Sequence, residues 1–178
     1  MKINTENVVK LFFANPSLEM VYFESIANSI DAGATEIELK LNIESYSKPD
    51  TLKVSVKDNG IGFTDKNFDK FSQLLEVEEE DHKGIGRLVF LNYFKTVNVS
   101  SYFEDKKRDF VFSKKFDGES KIITSEKNIK ETLLIMEGYS KDKVKSYDYL
   151  KPTSIKKSLM LHFLPLLYSM KIDKKKKH

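Results

Sequence analysis

An α/β two-layer sandwich, with a mixed and mainly antiparallel sheet covered on one side by helices, is the fold class this sequence predicts. Three observations lead to it. Residues 35–41 and 52–56 alternate apolar and polar side chains, the period of a half-buried strand. Residues 95–103, 108–116 and 131–136 are rich in Val, Phe, Thr, Leu and Ile and read as further strands. Apolar residues at helical spacing begin near 17, 65, 84 and 152, and the 178 residues suffice for one real core without any repeat or long low-complexity linker.

The first helix is expected over about residues 17–32, with Pro16 and Ser17 able to start it and Gly33 able to stop it. At about 100° per residue, Glu24, Asn28 and Asp31 project from nearly the same side and form a polar stripe. Met20, Val21, Phe23, Ile26, Ala27 and Ile30 mark the other side, expected to bury against the sheet and leave the stripe facing a cleft or solvent. Three polar residues on an exposed helix face need no function when read alone.

The next two strands run into Asp58-Asn59-Gly60-Ile61-Gly62. Gly60 and Gly62 can adopt positive φ or let a ligand approach the backbone, and Asp58 can accept a hydrogen bond from the exocyclic amine of a base. The same Asp-Asn-Gly run is also a common hairpin device.

Further on, Lys83-Gly84-Ile85-Gly86-Arg87 precedes the apolar pattern Leu88, Val89, Leu91, Asn92, Phe94. Backbone N–H groups of a glycine turn feeding a helix make an anion nest, with Lys83 and Arg87 adding positive charge. The bland reading is an ordinary glycine loop whose cations are solvated. Neither glycine run fits the Walker phosphate motif or the three-glycine dinucleotide fingerprint, which disfavours a P-loop ATPase or a Rossmann enzyme.

Taken together, Glu24-Ser-Ile-Ala-Asn28-Ser-Ile-Asp31-Ala-Gly-Ala34, Asp58-Asn-Gly-Ile-Gly62 and Lys83-Gly-Ile-Gly-Arg87 resemble, in that order, the motifs of the GHKL ATPase superfamily. That group contains gyrase B subunits, MutL repair proteins, the ninety-kilodalton heat-shock chaperones, MORC proteins and histidine kinases. The resemblance covers roughly residues 14–137 and implies the Bergerat sandwich, an ATP site and Mg²⁺.

It implies that Glu24 is the general base for water and that Asn28 is the Mg²⁺ ligand. Asp31 supports the nucleotide through polar or water contacts, and Asp58 reads adenine, with Gly60 and Gly62 allowing close passage of the chain. Lys83, Gly84, Ile85, Gly86 and Arg87 form the second glycine box around the phosphates, where Gly84 and Gly86 need supply only backbone N–H groups. In many relatives a Gly-Thr pair opens the final strand. Here Glu131-Thr132 stands at that place, so Thr132 is a pocket hydroxyl or simply a strand-facing threonine.

Residues 63–82 lie where the family carries an ATP lid. Phe68, Phe71, Leu74 and Leu75 outline a short amphipathic helix, and the acidic run 76–81 is expected to point outward from triphosphate or to be a solvated loop. Glu24 favours the hydrolytic chaperone, MutL and topoisomerase side over protein phosphorylation, and His82 and His162 form no convincing phosphoacceptor system. The competing reading is a nucleotide-gated interaction module without meaningful turnover.

In the last helix, residues 153–170, Ile155, Leu159, His162, Phe163, Leu166 and Leu167 recur at helical spacing and are expected to pack, with Pro165 kinking or ending the helix. Residues 1–13 are expected to be an apolar arm, too short for a membrane span, that packs or helps a dimer; residues 14–170 are the ATP-binding domain. Residues 171–178 are a basic tail, expected to be a truncation point of a longer protein. The resemblance implies a next domain that supplies a phosphate-sensing lysine, and an ATP-dependent homodimer of the full-length protein, as in several hydrolytic relatives.

Cysteine is absent, so neither disulfides nor thiolate-bound metal hold the fold, and no signal peptide is evident; both fit the cytoplasm. The net charge of +3 comes entirely from Asp173 and Lys174–Lys177, leaving residues 1–172 neutral. Nucleic-acid binding is therefore not inferred from charge, although the tail can meet polyanions nonspecifically.

Overall fold

The structure, a computed structural model, describes residues 17–73 and 86–176. The expected N-terminal arm, Lys83, Gly84 and Ile85, Leu74, Leu75, the acidic run and His82 lie outside the described residues. Two compact units divide after Lys143.

The first unit begins with α1 (Glu19–Asp31) and continues through β1 (Ile37–Asn42), β2 (Lys53–Asp58), α2 (Asp65–Gln73) and α3 (Leu88–Tyr93). It then runs through β3 (Phe94–Phe103), β4 (Lys106–Ser113), β5 (Lys121–Thr124) and β6 (Glu131–Tyr139). The strands form one six-stranded sheet in the order β1-β2-β6-β3-β4-β5, with antiparallel pairing between each pair of neighbours. β6 inserts between β2 and β3, which sets Thr132 opposite Asp58 on one side and opposite Ser101 on the other.

Alternation along the strands gives the sheet one buried face. Val54 and Val56 of β2, Val97, Val99 and Phe103 of β3, Phe110 and Phe112 of β4 and Met136 of β6 form it. Leu18, Val21 and Tyr22 from the first helix region, with Leu88, Val89, Phe90 and Leu91 from α3, complete the core. Phe68 and Phe71 of α2 pack edge-on against Phe110 and Phe112, with centroids 5.1 Å apart in both pairs. Arg108 of β4, itself buried, stacks over Phe68 at 4.2 Å and pairs with Asp65 in the first turn of α2, which ties that helix to the sheet.

Four local expectations change. The face of α1 that meets the core is Leu18, Val21, Tyr22, Ser25 and Ser29; Met20, Phe23, Ile26, Ala27 and Ile30 are only half-buried. Serines are tolerated there because their hydroxyls find acceptors, Ser25 Oγ donating to the Val21 carbonyl at 2.6 Å and Ser29 Oγ sharing its one proton between the Ser25 carbonyl at 3.1 Å and Asp58 Oδ2 at 3.0 Å. Phe94 does not continue α3; its φ of −123° and ψ of 149° open β3 directly. β5 is a short edge strand that too few alternating residues announced. The strand expected over 108–116 ends at Ser113, freeing Phe116 to turn back onto Phe71 and Phe112, each with a centroid separation of 5.8 Å.

The second unit holds a short 3-10 turn (Tyr147–Leu150) and α4 (Pro152–Lys176). Ser146 Oγ accepts from the Asp148 amide at 3.2 Å, and Lys151 pairs with Asp148 at 3.0 Å just before the helix. Of the two expected effects of Pro165, a kink or an end, the helix does not end there: α4 runs through it, because one lost backbone bond leaves the turns on both sides intact. The expected packing is also limited. Ile155 and Phe163 are buried, whereas Met160, Leu161, Leu164, Leu167 and Tyr168, rotated to the far side, are exposed. Among the described residues no helix is long and apolar enough to cross a membrane.

Candidate functional site

α1 carries polar chemistry on two sides. Glu24 is half-buried, Asn28 and Asp31 are exposed, and Asn28 Nδ2 donates to Glu24 Oε1 at 3.1 Å, a pairing that the i,i+4 spacing allows. That bond leaves the Asn28 carbonyl oxygen as the group available to a cation. One residue further round, Ser29 faces the sheet, and its hydroxyl reaches Asp58 Oδ2 at 3.0 Å.

Asp58 closes β2 and is buried. Its Oδ1 accepts from the Gly60 amide at 2.9 Å, which leaves each carboxylate oxygen with capacity for one more donor. The following turn is tied to the end of α1, since the Ile61 amide donates to the Ala32 carbonyl at 2.9 Å and Asn59 Oδ1 accepts from the Thr35 amide at 2.9 Å. Gly62, at φ +73°, lies where any Cβ would overlap Ser101 Oγ. Ser101 Oγ accepts from the Phe63 amide at 2.9 Å and is 2.9 Å from Thr132 Oγ1. Thr132 thus flanks Asp58 across the sheet, with its hydroxyl engaged by Ser101.

The second glycine run enters from the other side. Gly86 packs directly on Glu24, and a Cβ there would fall inside the carboxylate. Arg87, 7% exposed, lays its guanidinium over the Phe71 ring with the carbon 4.0 Å from the centroid. Its Nε and Nη2 are buried and, among the described residues, have no hydrogen-bond partner.

Burial displaces all three charged groups. It raises Glu24, against the Asn28 hydrogen bond and the Arg87 charge that lower it, while the Asp31 charge adds to the rise. It raises Asp58, against the bonds from Gly60 and Ser29. Arg87 is lowered to about 10, with the Glu24 charge opposing, so it stays protonated at neutral pH.

Glu24, Asn28, Gly86 and Arg87 therefore meet on one side of α1, and Asp58, Gly60, Gly62 and Thr132 gather at the end of β2. Ser29 links the two groups. Asp31 stands apart at the exposed end of the helix and acts on Glu24 only through its charge. Ser29 and Ser101 were not singled out in the sequence, and Phe71 was read there only as part of a short amphipathic helix. The available signal was phase: Ser29 and Ser25 share the helical spacing of Leu18 and Tyr22, and Ser101 falls in step with Val97, Val99 and Phe103.

Among the described residues no three His, Cys, Asp or Glu side chains converge to cage a metal. A Mg²⁺ ion fits this donor set only as Mg²⁺ commonly binds nucleotide, through one protein oxygen, phosphates and water.

Residues 16–148 match the model of a protein family described as histidine kinase-, DNA gyrase B- and HSP90-like ATPases. The chain belongs to that family. It is thus a Bergerat-fold member of the ATP-binding GHKL superfamily, homologous to the gyrase B and HSP90-like ATPase domains.

Among solved structures, the chain is similar to the 43K ATPase domain of Thermus thermophilus gyrase B in complex with an aminocoumarin. The TM-score is 0.58 at 16% identity, covering 86% of this chain and 43% of that one. Among curated proteins it is similar to the sensor protein RprX of Bacteroides fragilis (strain YCH46). They are 32% identical over 88 residues, 47% of this chain and 17% of the sensor. The chain thus spans less than half the length of either relative.

Proposed function

We propose that this GHKL chain binds ATP with Mg²⁺ and hydrolyses it slowly, as the motor region of a larger protein on the hydrolytic side of the superfamily. The observation that carries the reading is the placement of Glu24 and Asn28 on one side of α1 and the Ser29–Asp58 bond on the other, with Gly86 closing onto Glu24. A base-reading carboxylate and a water-activating carboxylate are then fixed by one rigid helix.

In this reading Asp58 accepts from the adenine amine, using the carboxylate capacity that Ser29 and Gly60 leave open. Glu24 holds a water in line with the γ-phosphorus and takes its proton as the new O–P bond forms. The bond from phosphorus to the β,γ-bridging oxygen breaks, giving ADP and phosphate. The burial that raises Glu24 brings it nearer the working pH and makes it a stronger base. When bound, Mg²⁺ offsets the negative charge of the phosphates, and the Asn28 carbonyl oxygen is the side-chain group that would hold it. Backbone at Gly86, with no side chain, can come close to the phosphates.

Glu24→Gln tests the chemistry. It should keep ATP affinity within about threefold and lower phosphate release by about 100-fold or more, the scale of a general base. Equal, background-level release from wild type and variant would favour the alternative, a nucleotide-gated interaction module.

A further inference from the structure

Arg87 is the most unusual polar group in the described residues. Its guanidinium is buried and two of its nitrogens lack partners, yet it carries a full charge. Stacking on Phe71 stabilises the face of the guanidinium, but the N–H groups lie in its plane and gain nothing from the ring. A buried, unsatisfied charged donor costs more than a neutral one. Glu24 offsets the charge without satisfying the donors, since Nε and Nη2 remain unpaired. An anion entering beside Glu24 would supply the missing acceptors.

Which anion follows from the chemistry of Glu24, and here the inference rests on the hydrolytic reading above. A carboxylate that directs water onto the terminal phosphorus stands next to the terminal phosphoryl group and farther from the α- and β-phosphates. A cation in the electrostatic field of Glu24 therefore meets the third phosphate first. We propose that Arg87 is the side chain by which this chain distinguishes nucleoside triphosphate from diphosphate, its unpaired N–H groups taking the γ-phosphoryl oxygens. Phe71 lies under the guanidinium and helps hold it in place before nucleotide arrives.

Equilibrium titrations of the 178-residue chain with ADP and with a non-hydrolysable ATP analogue, both with Mg²⁺, test this. Wild type should prefer the triphosphate by about tenfold or more, about 1.4 kcal/mol. Arg87→Met, which keeps an apolar stem over Phe71, should lose that preference while its ADP affinity stays within about twofold. Arg87→Lys, a point charge without the planar fork, should fall between them. Unchanged ADP binding shows that a variant is folded.

Equal weakening of both nucleotides would overturn the proposal in favour of a packing role, as would a wild type indifferent to the third phosphate. A wild type that binds both nucleotides and a Met variant that keeps the preference would overturn it while leaving ATP binding intact. A folded wild type that binds neither would remove the ATP reading and this inference together.

Discussion

Strands β2 and β6 carry polar residues on both of their faces, and the two sets behave differently. On the outer face Lys57 pairs with Glu131 and Lys53 with Glu137, each at 2.6 Å, with the lysine side chains 48% and 58% exposed. One residue along, on the helix-covered face, Asp58 and Thr132 are 5% and 3% exposed. The outer pairs are solvated and complete in themselves. The inner carboxylate is raised by its burial even after Ser29 and Gly60 have bonded to it. A sheet that needed only stability would place an apolar residue there, and the proposed base-reading role of Asp58 accounts for a carboxylate on the inner face.

The largest break in this comparison is at Asp58. Asp58→Asn should cut ATP affinity by about 100-fold or more, because an amide nitrogen would oppose the adenine amine and a buried donor would go unpaired. Competition against a fluorescent nucleotide measures it. Little change would move the base-reading role elsewhere.

Next in size is Gly86→Ala. The added carbon would overlap the Glu24 carboxylate, so either Glu24 or the glycine turn must shift. The carboxylate is the end of a flexible side chain, so the cost stays at the low end of overpacking, about 1 kcal/mol. Thermal unfolding should report it as a melting point lower by roughly 2–4 °C per kcal/mol, accompanied by weaker ATP binding. An alanine variant with unchanged melting and binding would mean that the turn is not seated on Glu24.

A smaller effect lies in the pH dependence of stability. The folded pKa of Asp58 is raised, so the folded chain holds that proton longer than the unfolded chain, whose Asp titrates near 3.9. Stability from this site therefore declines as pH rises from the unfolded value through the folded one, and the cost persists at neutral pH. Nucleotide-free wild type should therefore gain melting temperature relative to the Asp58→Asn chain as pH falls from 7 toward about 4, because only wild type can take up the proton there. A difference between the two chains that does not change with pH would show that Asp58 does not titrate at a raised pKa.

Smallest of all, Lys57→Ala on the outer face should leave the melting point within about 1 °C and nucleotide affinity unchanged, as expected of an exposed pair. A large loss there would erase the contrast between the faces.

Much of this arrangement was legible in the chain. The i,i+4 and i,i+3 spacing of Glu24, Asn28 and Asp31 fixed a stripe on α1, and alternation through Val54 and Val56 delivered Asp58 to the end of a buried strand face. What escaped were residues whose role depends on a distant partner. Ser29 looks like filler in a helix until β2 places Asp58 beneath it, and Ser101 looks like a routine strand serine until β6 inserts and brings Thr132 alongside. Arg87 could be read as a solvated cation because nothing local announces that Phe71 will lie beneath it. α4 misled in the other direction, since many apolar residues at helical spacing do not require that all of them be covered.

The central claim is that α1 holds a water-activating and a base-reading carboxylate about one adenosine triphosphate. Calorimetric titration of the folded chain with ATP and Mg²⁺ tests it most directly. Binding should be saturable and one-to-one, weaker when Mg²⁺ is withheld, and about 100-fold weaker or more in the Asp58→Asn chain. A folded wild type that releases or absorbs no heat of association, and that protects no nucleotide in a parallel dialysis, would contradict it.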